Sequence, residues 1–167
     1  MQGISFKDVV PKVLAAVILA GSAVNVSAGS ISGVLNVTAT VQAQCLISTV
    51  DDVVFGTYTQ GVGSVPGNGS INLNCGVGTS YFVALSGPTA SNRFMVNAAS
   101  DQLQYQLFSD TLKTAVWGST NGTDTVDGTG TGAIVNLPIY ATLFDSLANR
   151  AKPAGAYTGV VTITVTY

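Results

Sequence analysis

The chain of 167 residues has no histidine and no glutamate, and only 8% of it is charged. Without imidazole, the commonest general base and the commonest metal ligand are both missing. Beyond residue 12 the only cations are Arg93, Lys113, Arg150 and Lys152, and the net charge is -2. That is too few for the basic face that binding a polyanion requires, so nucleic acid is not expected as a partner. The two cysteines and the absent histidines give no metal-ligand spacing. The remaining acidic groupings, Asp51 with Asp52 and Asp124 with Asp127, sit in polar, turn-rich sequence. They read better as solvated loop charges than as a cation site or paired carboxylate catalysts. The run GTGTG at residues 128–132 does not lie between a strand and a helix, so it is no phosphate loop. The expectation is a protein that is not an enzyme and takes no cofactor, no metal and no small-molecule substrate.

What is present points to strands. Hydrophobic residues make up 47% of the chain, and Gly, Ser, Thr, Asn and Val supply much of the rest, a composition suited to strands and turns. The length suits one domain with a sizeable core. At the start, Lys7 and Lys12 precede an apolar run at residues 13–24, followed by the small residues Val26, Ser27 and Ala28. This reads as an export signal over residues 1–28, cut after Ala28, because the run falls short of the roughly 20 residues that span a bilayer. In an exported domain, Cys45 and Cys75 are most simply one disulfide. They lie 30 positions apart, a loop whose closure contributes roughly 3 to 4 kcal/mol in the chain-entropy model. The alternative, a reactive thiol, lacks an activating base.

The segment GVLNVTATVQAQC at residues 33–45 alternates, with Leu35, Val37, Ala39 and Val41 on one face and Asn36, Thr38, Thr40 and Gln42 on the other. That is the period of a half-buried strand. Further strands are expected at residues 53–58, 71–75, 79–86, 103–108, 114–117 and 133–144. Pro66-Gly67 and Asn68-Gly69 read as reversals, and residues 118–132 as loop. Residues 71–86 are either one bent strand or a tight hairpin, and residues 103–117 form a hairpin. Pro138 favours a bend, a bulge or an edge position. Residues 157–167 alternate again, with Val161, Ile163, Val165 and Tyr167 facing one way. Short strands at this spacing predict an all-β, immunoglobulin-like sandwich. No sequence follows Tyr167 to close the sheet beside this last strand, so an apolar edge there has to be covered.

Several segments together carry a resemblance: the alternating strand ending in Cys45, SINLNCG around Cys75, YQLFSD, VWG, LPIYATLF and PAGAYTGVVTITVTY. Over residues 29–167 the chain resembles the spore coat protein U domain, a family that includes the archaic chaperone-usher pilins of bacteria. The most specific portion is P-x-G-x-Y-x-G at residues 153–159, followed by alternating Val and Thr.

The resemblance implies an incomplete immunoglobulin-like β-sandwich completed by a donor strand. A periplasmic chaperone would fill its groove first. At the outer-membrane usher, the amino-terminal strand of a neighbouring pilin subunit would replace the chaperone by β-augmentation. Carried onto this chain, residues 29–44 are the donor segment, with Ile31, Leu35, Val37, Ala39 and Val41 as groove-filling residues, and residues 45–167 are the pilin domain. Val161, Ile163, Val165 and Tyr167 would border the acceptor groove and meet the chaperone. The implied role is a structural pilin exported through the periplasm to the cell surface, forming fibres for attachment and biofilm formation. The alternative is a secreted spore-coat or matrix protein with the same domain. Tip adhesins of this family carry an additional binding domain and no donor strand, so a tip role is not expected.

Overall fold

A computed structural model describes residues 27–86 and 93–167; the proposed leader lies largely outside the described residues. The chain divides into two units, Met1–Ala39 and Thr40–Tyr167. In the first, residues 27–39 form no strand and are exposed. The second carries β1 (Cys45–Asp51), β2 (Val65–Cys75), β3 (Ser80–Ser86), β4 (Arg93–Val96), β5 (Gln102–Phe108), β6 (Val126–Thr129), β7 (Ile134–Leu143), a one-turn helix α1 (Leu147–Arg150) and β8 (Thr162–Thr166). Five strands form one antiparallel sheet in the order β1-β2-β7-β5-β4, and three form another in the order β6-β3-β8. Ile71, Leu73, Val83, Leu85, Leu107, Ala141 and Leu143 from both sheets, with Trp117 from the connection between β5 and β6, lie in one core. The all-β, immunoglobulin-like sandwich expected from the sequence is the observed fold.

Cys45 and Cys75 form the expected disulfide. They are register partners in the β1–β2 ladder, so the bond ties the start of an edge strand to the strand inside it. β1 itself has no counterpart among the expected strands. A register shift between Ile47 and Thr49 breaks the alternation on which a sequence reading depends.

Pro66, Gly67, Asn68 and Gly69 lie within β2, paired with Thr142, Ala141, Tyr140 and Ile139 of β7, and make no reversal. The glycines answer a packing need. A Cβ on Gly67 would meet Phe55 and Val53 at 3.0 Å, and one on Gly69 would lie 2.6 Å from the Asp51 carbonyl oxygen. The expected strand at residues 53–58 is therefore a non-strand segment lying across these bare positions. β1 pairs with β2 only over Ser70–Cys75, so Pro66 has a strand on one flank only, as its missing N–H favours. Pro138 likewise pairs with Ser70 of β2, while β5 contacts β7 only from Tyr140 onward.

β2 and β3 are neither one bent strand nor a hairpin, since they belong to different sheets. Their junction is closed by Thr79 N donating to Gly76 O at 3.0 Å. Residues 118–132 contain β6, paired with β3; a Cβ on Gly128 would lie 2.5 Å from the Tyr81 hydroxyl. That close approach explains a glycine within a strand. The expected hairpin at residues 103–117 survives as an antiparallel bridge between Phe108 and Val116. The Asp110 carboxylate closes its turn by accepting from Thr114 N and Ala115 N, and these bonds hold its pKa below the usual carboxylate value. The final segment is not one strand: Thr158 bridges Val96 in the larger sheet, and β8 then pairs with β3 in the smaller.

Candidate functional site

β8 is the last strand of its sheet. One side pairs with β3, placing Ile163 opposite Leu85 and Val165 opposite Val83, and no described strand pairs with its other side. β1 ends the larger sheet in the same way. A cleft of about 380 Å³ is lined by residues of both sheets. Leu85, Tyr105, Leu107 and Ile139, all buried, form its floor. Val53, Phe55, Tyr157, Val161 and Ile163 also line it. A second hollow of about 750 Å³ shares Val53, Phe55, Met95 and Tyr157 and extends along residues 152–156. The result is a trough lined mainly by apolar side chains, with Asp51 and Asp52 also in its lining, and an unpaired strand edge beside it. Such a trough accepts an extended segment whose backbone pairs with β8 and whose alternate side chains enter the core.

The segment containing Tyr58 and Gly61 is held by Asp145, just after β7. Its carboxylate accepts from the Tyr58 hydroxyl at 2.7 Å, from Gly61 N at 3.0 Å, and from Arg150 Nε and Nη2 at 2.9 Å each. The Arg150 hydrogen bonds, followed by that of Tyr58, hold the Asp145 carboxyl far below the usual carboxylate range. Burial, reinforced by the bond to Asp145, pushes the Tyr58 hydroxyl up. Asn149 completes the corner, its Nδ2 donating to the carbonyls of Gln104 and Phe144 at 2.8 and 2.7 Å.

A pH dependence follows with a definite sign. The unfolded carboxyl titrates near 3.9, and the folded one below it. The stabilisation from Asp145 is therefore complete above about pH 4 and is lost as pH falls through the folded-state value. Limited proteolysis within residues 57–63 should accelerate on acidification below about pH 4 in the wild type. Asp145→Asn should be cleaved readily at neutral pH, with little further change on acidification. A wild-type acid profile in that variant would remove Asp145 from this role.

Of the residues expected to border the groove, Val161 and Ile163 line the cleft. Val165 is partly buried against the core but outside the cleft lining. Tyr167 is 57% exposed and lines a separate hollow with Ser80, Tyr81 and Phe82. Among the donor-segment residues, Ile31, Leu35, Val37 and Val41 are at least 84% exposed, Ala39 is exposed, and none lies in a strand. The acidic residues take part in local structure: Asp51 accepts from Ser70 Oγ, Asp124 from Thr120 N and Asp127 from Thr125 Oγ1. Among the described residues no group of three or more ligating side chains gathers to hold a metal. No described helix is long and apolar enough to cross a membrane.

Sequence reasoning did not identify Val53, Phe55, Met95, Tyr105 and Tyr157 as groove residues. For Val53 and Phe55 a signal was present, since two apolar residues spaced by two precede the glycine pair they cover. Met95 sits in β4, a four-residue strand too short to show a period.

The model of the Spore Coat Protein U domain matches residues 31–164. Protein U of Myxococcus xanthus is 31% identical over 157 residues, spanning 88% of this chain and 79% of that protein. Among solved structures, the chaperone–tip adhesion subunit pre-assembly complex of the archaic chaperone-usher Csu pili of Acinetobacter baumannii contains a similar chain. It matches with 22% identity and a TM-score of 0.51, over 77% of this chain and 41% of that one. A chain of a chaperone-usher pilus matches with 19% identity and a TM-score of 0.53, over 83% of this chain and 96% of that one.

Proposed function

The chain belongs to the spore coat protein U domain family, and from that premise we propose that it is a structural pilin of an archaic chaperone-usher pilus, polymerised by donor-strand exchange. One observation carries the reading. The domain leaves an apolar trough open beside an unpaired strand edge, and the same chain carries an exposed alternating segment, residues 31–41, of the kind that trough accepts. Leu35, Val37, Ala39 and Val41 would enter a neighbouring subunit's groove, with Ile31 at the far end of the same segment. β8 would supply the backbone partners, and the disulfide would anchor β1 where the donor segment joins its own domain.

Until a neighbour arrives, the trough needs another occupant, because an uncovered apolar edge aggregates. That requirement supports a periplasmic chaperone as first partner and an outer-membrane usher as the place of exchange. The subunit would then reach the cell surface within a pilus serving attachment and biofilm formation. The similarity to Protein U favours a second reading, a secreted coat or matrix protein. Neighbouring genes for a chaperone and an usher would discriminate between them.

Deleting residues 30–41 tests the pilin reading directly. The truncated subunit should still co-purify with its chaperone, since its groove is intact, but should fail to complement another subunit. Long fibres built from it alone, seen by electron microscopy, would show that the donor segment is elsewhere.

A further inference from the structure

Arg93 opens β4 and is fully buried. Its Nη1 donates to Gln106 Oε1 in β5 at 2.7 Å. Its Nη2 donates to the Leu85 carbonyl in β3 at 2.7 Å and to the Trp117 carbonyl at 2.6 Å. One guanidinium thus holds acceptors in both sheets. The segment it grips already stitches them together: Trp117 N donates to Leu107 O of β5, Leu85 N donates to Gly118 O, and the Trp117 indole donates to Val83 O at 2.8 Å. At Leu85 this seam lies on one flank, while β8, with its unpaired outer edge, lies on the other.

The same residues form the groove. Leu85, whose carbonyl Arg93 holds, lies in its floor, as do Leu107 and Tyr105, the latter being the register partner of Arg93 in the β4–β5 ladder. Met95, two residues along β4, lines both hollows. A sandwich that lacks a strand along one seam has its sheet spacing there set by the opposite seam. An aliphatic side chain would fill the volume at position 93 but leave that spacing free to narrow, whereas a rigid planar fork with several donors fixes acceptors in direction as well as distance.

We propose that Arg93 is a positioning residue that holds the two sheets at the spacing of the occupied groove while the groove is empty, so that an incoming donor strand meets a receptive site. This rests on the donor-strand reading above. Once a strand lies in the groove it ties the sheets along the open seam, and the contribution of Arg93 becomes partly redundant. Its effect therefore falls on the empty subunit.

The test uses the chain carrying Val37→Asp and Val41→Asp, which cannot donate its own segment, and a fluorescent peptide of residues 31–41. In this background Arg93→Met should slow peptide association about tenfold, as expected if the receptive state falls to about a tenth of the population. In a second chain, with a copy of residues 31–41 linked after Tyr167 so that the groove is filled, the same substitution should lower the thermal midpoint by clearly less than it does in the empty chain, although Leu85, Gln106 and Trp117 lose a donor in both. A purely structural role would damage both forms alike, and that result would overturn the proposal. So would unchanged association kinetics in Arg93→Met, which would leave the pilin reading intact. If the peptide fails to bind even the parent chain, the groove reading falls and the role of Arg93 falls with it. Should Arg93→Met not fold, Arg93→Lys and Gln106→Leu, which remove only part of the fork's contacts, should slow association by an intermediate factor. Parent-like rates in both would overturn the proposal.

Discussion

Val37→Asp or Val41→Asp is expected to abolish fibre formation, while Thr38→Asp, between them on the opposite face, leaves fibres largely intact. Each fully buried Val or Leu contributes roughly 1.5 to 3 kcal/mol. The face formed by Leu35, Val37, Ala39 and Val41 would therefore supply on the order of 5 to 9 kcal/mol before backbone pairing. An aspartate on that face loses one such contribution and also places an unpaired charge against the apolar floor formed by Leu85, Leu107 and Ile139. A loss of several kcal/mol corresponds to a reduction in joining of a hundredfold or more. At position 38 the carboxylate stays in water. Subunit ladders on denaturing gels and fibre lengths by electron microscopy would read the difference. Equal effects from the two faces would sink the proposed register.

The second large effect is expected from the disulfide. Cys45→Ser with Cys75→Ser removes a cross-link spanning 30 positions, worth roughly 3 to 4 kcal/mol in the chain-entropy model. A domain of this size should lose roughly 10 °C in thermal midpoint. The damage should concentrate at β1, which pairs with β2 alone and has Leu46, Ile47 and Val50 substantially exposed. Loss of the bond should make residues 46–52 the first site of proteolysis and reduce chaperone capture, because β1 stands at the end of the sheet beside the groove. A double variant that melts within a degree or two of the oxidised protein, with unchanged cleavage, would remove the disulfide from this role.

Much of the architecture was legible because alternation survives wherever a strand has one face in the core. Leu103, Tyr105 and Leu107 announced β5, and Val161, Ile163 and Val165 announced the strand that became β8. The failures at residues 66–69 and 118–132 share a cause. Gly67, Gly69 and Gly128 resemble turn formers in sequence, yet each makes room for a side chain or backbone arriving from elsewhere: Val53 and Phe55, Asp51, and Tyr81. A glycine needed for close approach and one needed for a reversal are the same letter, and only the neighbour distinguishes them. β1 escaped because its bulge disrupts the period. The break between Thr158 and Thr162 escaped because side-chain alternation persists while the hydrogen-bonding partner changes sheet.

By itself, the sequence determined the all-β class, the pairing of Cys45 with Cys75, the lack of imidazole chemistry, and the two alternating faces at either end of the domain. These follow from composition and from periodicity within single segments. The tertiary structure alone decided that Val53, Phe55, Met95 and Tyr157 line the trough, that Val165 and Tyr167 stand outside its main cleft, and that Arg93 is buried at the seam joining β3 to β5. Those features depend on which segments meet across sheets. The contacts of Arg93 reach 8, 13 and 24 positions along the chain to Leu85 in the other sheet, Gln106 in the neighbouring strand and Trp117 between them, distances over which side-chain periodicity within a strand carries no information.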